Sequence, residues 1–126
     1  MLKELEKITV LGGGLLGGSL AMALQDRLEV SLWARRDQSV ASARDLGIRS
    51  ATTNLKEALS EADLVILSVP VGAMGPLMEL ALENGLSSNS LVTDVGSVKR
   101  VVHRVPGEML EARGIPFIGG HPMAGS

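Results

Sequence analysis

The sequence predicts an α/β domain with a doubly wound, mostly parallel sheet. Short apolar runs alternate with segments of helical character along the whole chain. One run, Leu64–Leu67, is apolar at every position, as expected of a strand that is buried on both faces of a sheet. A glycine-rich segment at residues 12–18 separates the first apolar run from the first helical segment. Strands that alternate with helices are joined by crossovers, which makes the strands parallel.

The elements are predicted in order from these patterns. The predicted strands are residues 8–11, 29–33, 48–51, 64–67, 90–94 and 117–118. The predicted helices are about residues 15–27, 37–47, 54–61, 75–84 and 98–113. With no internal repeat and no linker between them, these elements predict one domain over residues 1–126.

Local signals mark several helix ends. Asp37 is a residue type that caps helix N-termini, and Gly47 is a favoured stop residue. Asn54 followed by Glu57 has the spacing of a capping box, in which each side chain meets a free backbone N–H group of the other. Pro76 is expected in the first turn of its helix, where proline is tolerated.

Composition excludes several classes of function. The chain has 126 residues, a net charge of −2 and no cysteine, so disulfides and thiolate metal sites are excluded. It has two histidines and no carboxylate cluster around them, so no metal site is predicted. No basic stripe with interleaved aromatics suggests nucleic acid as a partner. No apolar run has membrane-spanning length and the acidic N-terminus is unlike a signal peptide, so the expected location is the cytoplasm.

The glycine-rich segment carries the first functional signal. Gly12, Gly14 and Gly17 fit the pattern G-x-G-x-x-G between an apolar strand and a helix, which is the context of a Rossmann-type dinucleotide site. The first glycine allows a tight turn, the second a close approach to pyrophosphate, and the third close packing of helix on strand. The phosphates would meet free backbone N–H groups at the helix start, which includes Leu15 and Leu16. The alternative is a glycine-rich turn without a ligand.

The end of the second strand indicates which dinucleotide binds. An NAD site usually carries an acidic residue about 20 residues beyond the loop. Here Arg35 and Arg36 occupy that region, and arginine suits a ribose 2′-phosphate because it is a permanent cation with paired donors. The sequence therefore predicts NADP rather than NAD. Two solvated arginines are the alternative, and Trp33 is expected to pack in the core rather than against adenine.

Three further strand ends are expected along the same edge of the sheet, facing the cofactor. They are the segments Ser68-Val69-Pro70, Asp94-Val95-Gly96-Ser97 and Gly119-Gly120-His121. A histidine at such an edge is a candidate for proton transfer near neutral pH. The chain ends five residues after His121, so the remainder of the reaction site is expected to come from elsewhere.

Four motifs together resemble the nucleotide-binding half of prephenate and arogenate dehydrogenases. They are GGGLLGGSLA at residues 12–21, SVP at 68–70, DVGSVK at 94–99 and GHPMAG at 120–125. The glycine loop is common to many dehydrogenases, whereas the last two motifs in this order are far more specific. The resemblance implies an oxidoreductase of tyrosine biosynthesis, in which hydride passes from prephenate or arogenate to the nicotinamide and CO₂ is lost.

The resemblance also implies roles for individual residues. His121 would accept the proton of the ring hydroxyl as hydride leaves, and Ser97 would help to position that hydroxyl. Ser97 also precedes a helical segment, so an N-cap is an equal alternative. The loop residues, the two arginines, Ser68, Val69, Pro70, Asp94 and Gly96 are expected to bind the cofactor.

The family pattern includes a second, helical domain that forms a homodimer and binds the substrate carboxylate through an arginine. No residue of this chain corresponds to it, so the chain is expected to bind NADP but to turn over prephenate poorly or not at all. Two alternatives remain open. One is the cofactor domain of another two-domain dehydrogenase, such as a 3-hydroxyacid dehydrogenase or a pyrroline-carboxylate reductase. The other is an NADP-binding module without chemistry.

Overall fold

A computed structural model of the chain describes residues 5–12, 14–94 and 117–118. Within these ranges, strands and helices alternate in the order expected from the sequence. The strands are β1 Lys7–Leu11, β2 Glu29–Trp33, β3 Ala51–Thr52, β4 Leu64–Leu67, β5 Leu91–Asp94 and β6 Phe117–Ile118. The helices are α1 Leu15–Leu24, α2 Asp37–Asp45, α3 Leu55–Leu59 and α4 Val71–Glu83. The helix predicted at residues 98–113 lies outside the described residues.

The described strands form a single parallel sheet. Its order is β3-β2-β1-β4-β5-β6, and every pair of neighbours is parallel. From β1, the chain adds β2 and then β3 on one side, and afterwards adds β4, β5 and β6 on the other side. This is the strand order of the Rossmann fold, and it confirms the predicted fold class.

Two apolar layers cover the two faces of the sheet. Helices α1 and α2 pack on one face, around Val10, Leu32 and Ile66. Helices α3 and α4 pack on the other, around Leu67, Met74 and Met78. Trp33 belongs to the second layer, where only 7% of its surface is exposed. The expected core position of this tryptophan is therefore confirmed.

The helix ends confirm some of the local signals and correct others. Gly47 stops α2 with a φ of +109°, and the N–H groups of Gly47 and Ile48 reach back to the carbonyls of Arg44 and Ala43 at 3.0 Å each. This pair of hydrogen bonds is a Schellman motif, which satisfies carbonyl groups left free at the end of a helix. Asp37, however, is not the cap of α2. It is the first helical residue, and Arg36 precedes it without a side-chain capping bond.

The capping box at the start of α3 forms only in part. The Asn54 side chain accepts a hydrogen bond from the Glu57 N–H at 3.0 Å. The Asn54 N–H donates to Thr52 Oγ1 at 3.0 Å instead of to the Glu57 carboxylate. Thr52 lies at the end of β3, so a neighbouring hydroxyl replaces the reciprocal half of the box.

Helix α4 begins four residues earlier than predicted, at Val71, so Pro76 lies inside it rather than in its first turn. Proline has no N–H to donate to the carbonyl one turn earlier. The early start is explained by packing, because Met74 is only 1% exposed in the core beneath the helix. Smaller differences are the end of α1 at Leu24, ahead of the predicted residue 27, and the shift of β3 to Ala51–Thr52.

Candidate functional site

The carboxyl ends of β1 and β4 define the candidate site. These two strands are neighbours at the centre of the sheet, in register from Ile8 beside Leu64 to Leu11 beside Leu67. The chain leaves β1 toward one edge of the sheet and leaves β4 toward the other, which makes this position the topological switch point. In open α/β sheets, ligands bind in the crevice just outside such a point.

Gly12 follows β1 and lies directly against the chain that follows β4. Its φ is +119°, a conformation that L-residues with a side chain rarely adopt. A Cβ at this position would overlap the Ser68 carbonyl oxygen and would lie 2.8 Å from Val69 Cγ1. Only glycine therefore fits this turn, as the sequence predicts for the first glycine of the pattern.

Gly17 brings α1 close to the sheet. A Cβ here would overlap the Gly12 carbonyl oxygen and would lie 2.8 Å from Ser68 Oγ. The predicted close approach of helix and strand is thus present in the structure. It involves three segments of chain, because the loop, the helix and the end of β4 meet at this residue.

Gly14 differs from the other two glycines because it borders open space. A Cβ at this position would meet nothing within 4 Å. Gly14 is the N-cap of α1, it offers no capping side chain, and the first turn of the helix has no acidic residue. The first N–H groups of a helix lack intrahelical partners, and the helix dipole makes this end positive. The end of α1 can therefore accept an anion without displacing a protein carboxylate.

Beyond β2, two exposed arginines follow a buried residue. Ala34 is 2% exposed, whereas Arg35 and Arg36 both face solvent. The first carboxylate after β2 is Asp37, which begins α2. The structure therefore places two cations at the strand end where an NAD site usually has an acidic side chain.

Next to Arg35 lies a cleft of about 400 Å³ that the sequence analysis did not predict. Its walls include Trp33 and Val69 and one face of α4 with Gly72, Pro76 and Leu80. Trp33 lines this cleft, and its Nε1 donates to the Thr53 carbonyl at 2.9 Å. The signal that could have found it is the small or apolar residue at each of positions 69, 72, 73, 76, 77 and 80. This helical spacing was missed because α4 was expected to begin at residue 75.

The other predicted site residues fall into two groups. Ser68 and Val69 are half-buried beside the glycine loop, and Pro70 is the exposed N-cap of α4. Asp94 ends β5 in register with Leu67, and its side chain is fully buried. Gly96, Ser97 and His121 lie outside the described residues. The structure thus brings the loop together with Ser68 and Val69 and does not test the two predicted catalytic residues.

A basin at the amino edge of the sheet is lined by several carboxylates, among them Asp63. The Asp63 carboxylate accepts hydrogen bonds from the backbone N–H groups of Glu6 and Lys7, at 2.9 and 3.0 Å. These bonds hold the start of β1, on the edge opposite to the switch point.

Within the described part of the chain, no group of three His, Cys, Asp or Glu residues could hold a metal ion. In the same residues, no helix is both long and apolar enough to cross a membrane.

The strand order and the glycine loop define this chain as a Rossmann-type domain of the nucleotide-binding class. Residues 20–126 match the family described as "Prephenate dehydrogenase, nucleotide-binding domain". The chain is 32% identical over 125 residues to the prephenate dehydrogenase of Lactococcus lactis, covering 97% of this chain and 35% of that protein. The chain belongs to this family, and it spans about a third of the length of the curated relatives that it matches.

Solved structures show the same relationship. Prephenate dehydrogenase from A. aeolicus, in a complex with hydroxyphenyl propionate and NAD⁺, superposes with a TM-score of 0.73 at 28% identity. That match covers 100% of this chain and 44% of the solved one. Arogenate dehydrogenase from Synechocystis gives a TM-score of 0.76 at 32% identity, over 92% of this chain and 40% of that protein. The resemblance inferred from the four sequence motifs is therefore confirmed at the level of the family.

Proposed function

We propose that residues 1–126 form the NADP-binding domain of a prephenate or arogenate dehydrogenase. The observation that carries this proposal is the glycine loop at the switch point, with the N-terminus of α1 open beside Gly14. The space beside Gly14 is where a Cβ would otherwise stand, so the loop fits a pyrophosphate held by backbone N–H groups. When bound, the nicotinamide supplies the acceptor for a hydride.

The remaining parts of the cofactor have matching surfaces on both sides of the loop. The cleft between Arg35 and α4 has the mostly apolar walls that suit adenine. Val69 lines this cleft, and with Ser68 and Pro70 it follows β4 along the edge of the sheet that leads toward the end of β5. The nicotinamide would lie along that edge, near Asp94 and Gly96. These contacts extend the dinucleotide across the switch point, as is usual for this fold.

The two arginines after β2 support NADP over NAD. A guanidinium group binds a phosphate through paired, charge-assisted hydrogen bonds. Arg35 borders the cleft proposed for adenine. The 2′-phosphate of the adenosine ribose would lie at this border of the cleft, beside Arg35. Arg36 is exposed next to it, at the N-cap of α2.

The proposed reaction is an oxidative decarboxylation. Hydride passes from the ring carbon that bears the hydroxyl group to the nicotinamide, and loss of CO₂ makes the ring aromatic. His121 would accept the hydroxyl proton, and Ser97 would orient that hydroxyl. Neutral imidazole suits this role because it can take a proton near neutral pH. The group that binds the substrate carboxylate is proposed to lie in a second domain, so the 126-residue chain alone should show little or no turnover.

Titration calorimetry of the 126-residue chain with NADP⁺ and NAD⁺ tests the cofactor. NADP⁺ should bind more tightly, and Arg35→Ala with Arg36→Ala should weaken NADP⁺ by roughly 100-fold or more while sparing NAD⁺, because each charged hydrogen bond contributes about 1.5–3 kcal/mol. Arg27→Ala is the matched control, since this exposed arginine follows α1 at the other edge of the sheet.

The outcomes separate the two parts of the proposal. Tighter binding of NAD⁺ by the parent chain would contradict the role of the arginines but not the nucleotide-binding function. Failure to bind either dinucleotide would contradict the function itself. The cytoplasmic location and the homodimer implied by the family resemblance stay predictions.

A further inference from the structure

Ser68 lies in an unusually confined position, between two glycines of the loop. Its carbonyl oxygen contacts Gly12 so closely that a Cβ there would overlap it. On the other side, its Oγ and Cβ lie 2.8 and 3.0 Å from the position of a Cβ on Gly17. Its N–H donates to the Leu11 carbonyl at 2.8 Å, so the backbone of Ser68 is held as a continuation of the β1–β4 ladder.

The residue type at this position departs from the strand that precedes it. Residues 64–67 are Leu, Val, Ile and Leu, and large or branched side chains are favoured in such strands. Ser68 carries a single γ atom, and that atom already faces Gly17. The bond to Leu11 holds the Ser68 backbone in place, so a larger side chain at this position would add its extra atoms close to the contact with Gly17. The small side chain of serine thus suits the close approach of the loop to the end of β4.

We propose that Ser68 is a positioning residue that sets the distance of the glycine loop, and of the first turn of α1, from the end of β4. Acting through Gly12 and Gly17, it fixes where the backbone N–H groups meet the pyrophosphate. Binding then depends on the volume of residue 68 and not on its hydroxyl group. This inference rests on the proposed dinucleotide function, and it places the effect of Ser68 on the pyrophosphate rather than on the adenosine.

Three substitutions separate volume from hydrogen bonding. Ser68→Thr adds a methyl group and keeps the hydroxyl, Ser68→Val adds bulk and removes it, and Ser68→Ala removes it without adding bulk. The dissociation constants of NADP⁺ and of 2′-AMP are measured for each variant of the 126-residue chain. The second ligand has the adenosine and its 2′-phosphate but no pyrophosphate. Ser60→Val is the matched control, an exposed serine at the amino edge of the sheet.

The threonine and valine variants should each bind NADP⁺ about tenfold more weakly or worse, since overpacking typically costs 1–3 kcal/mol and about 1.4 kcal/mol is a factor of ten. Their affinity for 2′-AMP should stay within about twofold of the parent, a split that a general loss of structure would not produce. Ser68→Ala should weaken NADP⁺ far less than Ser68→Val. If the valine variant does not fold, the threonine and alanine variants give the same comparison.

Several results would overturn the inference. One is a threonine variant that binds like the parent while alanine and valine lose affinity equally, because this would make the hydroxyl the determinant. Others are NADP⁺ affinities that none of the substitutions changes, or equal losses for NADP⁺ and 2′-AMP. A parent chain that binds neither ligand would instead contradict the proposed function.

Discussion

At the scale of single residues, the three glycines of the loop have different physical reasons to be glycine. Gly12 needs its positive φ and has no room for a Cβ, and Gly17 lacks room because of the Gly12 carbonyl and Ser68. Gly14 has ordinary backbone angles, with φ −69° and ψ −178°, and open space beside it. The first two positions are therefore explained by close contacts within the fold, whereas the protein around Gly14 leaves room for a side chain.

Gly14→Ala should separate binding from stability. The new methyl group meets no protein atom, and alanine is a poorer N-cap than glycine, so the free energy of unfolding should fall by no more than about 1 kcal/mol. The methyl group would occupy the space proposed for the pyrophosphate, so NADP⁺ should bind about tenfold more weakly or worse. Urea denaturation and calorimetry measure the two effects, and unchanged NADP⁺ affinity would contradict the proposed position of the pyrophosphate.

Gly12→Ala should instead lower the stability of the chain. An alanine at this φ costs about 1–2 kcal/mol from backbone strain alone, and the overlap with the Ser68 carbonyl adds to it. We expect the free energy of unfolding to fall by about 2 kcal/mol or more, measured by urea denaturation without any ligand. A variant as stable as the parent would show that the turn does not have the described geometry.

At the scale of elements, short-range hydrogen bonds define the end of α2 and the start of α3. Helix α3 has only five residues, and its start is held by the bond from the Glu57 N–H to Asn54. Its buried residues are Leu55, Ala58 and Leu59, which pack in the layer that also contains Trp33. The cap thus fixes an element that packs in the same core layer as Trp33, beside the cleft at Arg35.

Asn54→Ala should destabilise the chain by about 1 kcal/mol, the usual cost of losing an N-cap side chain. Asn89→Ala is the matched control, because Asn89 is exposed in the loop that precedes β5. Chemical denaturation of the two variants tests this expectation. Equal effects of the two substitutions would mean that the Asn54 cap adds nothing to stability.

The elements also show how far sequence reasoning reaches. Strands β1, β2, β4, β5 and β6 were predicted to within one residue, because apolar runs between glycines and helices leave few alternatives. The start of α4 was missed because Gly72, Gly75 and Pro76 weaken its local helical signal, while burial of Met74 outweighs that weakness. Tertiary packing of this kind cannot be seen in a local pattern.

The candidate site divides in the same way. The glycine loop and its position at the switch point could be predicted because the motif imposes its own geometry. The cleft beside Arg35 could not be, since it depends on where α4 lies relative to Trp33. The contact of Ser68 with Gly17 joins residues 51 positions apart, and no spacing rule connects them.

At the scale of the whole molecule, the chain corresponds to the nucleotide-binding part of longer relatives. It spans 35% of the Lactococcus lactis protein and 44% of the A. aeolicus chain. The proposed active-site residues are therefore best tested in a polypeptide that also carries the remaining part of such a relative. A fusion of this chain to that part of the Lactococcus lactis protein provides it.

In that fusion, His121→Asn should abolish most prephenate or arogenate turnover, because asparagine cannot accept the hydroxyl proton. General base catalysis commonly contributes 10²- to 10⁴-fold, so a loss of about 100-fold or more in kcat is expected. NADP⁺ affinity should stay within about threefold of the parent fusion. Steady-state kinetics and calorimetry measure the two quantities.

His103→Asn, at the other histidine of the chain, is the matched control and should leave kcat within about threefold of the parent. Full activity of the His121 variant would contradict the proposed proton acceptor. A parent fusion that binds NADP⁺ yet turns over neither substrate would favour a module without chemistry.

The contact between Gly12 and Ser68 also has a consequence for the order of folding. The strand pair β1 and β2 joins residues 22 positions apart, as in Ile8 beside Val30, whereas Ile8 and Leu64 of β1 and β4 are 56 positions apart. Pairing across the longer separation closes a larger loop and is the slower event. The pairing of β1 with β2 can therefore form before the pairing of β1 with β4, and Gly12 and Gly17 gain their contacts with Ser68 only when β4 lies beside β1. The glycines alone do not define the shape of this loop, which also depends on residue 68.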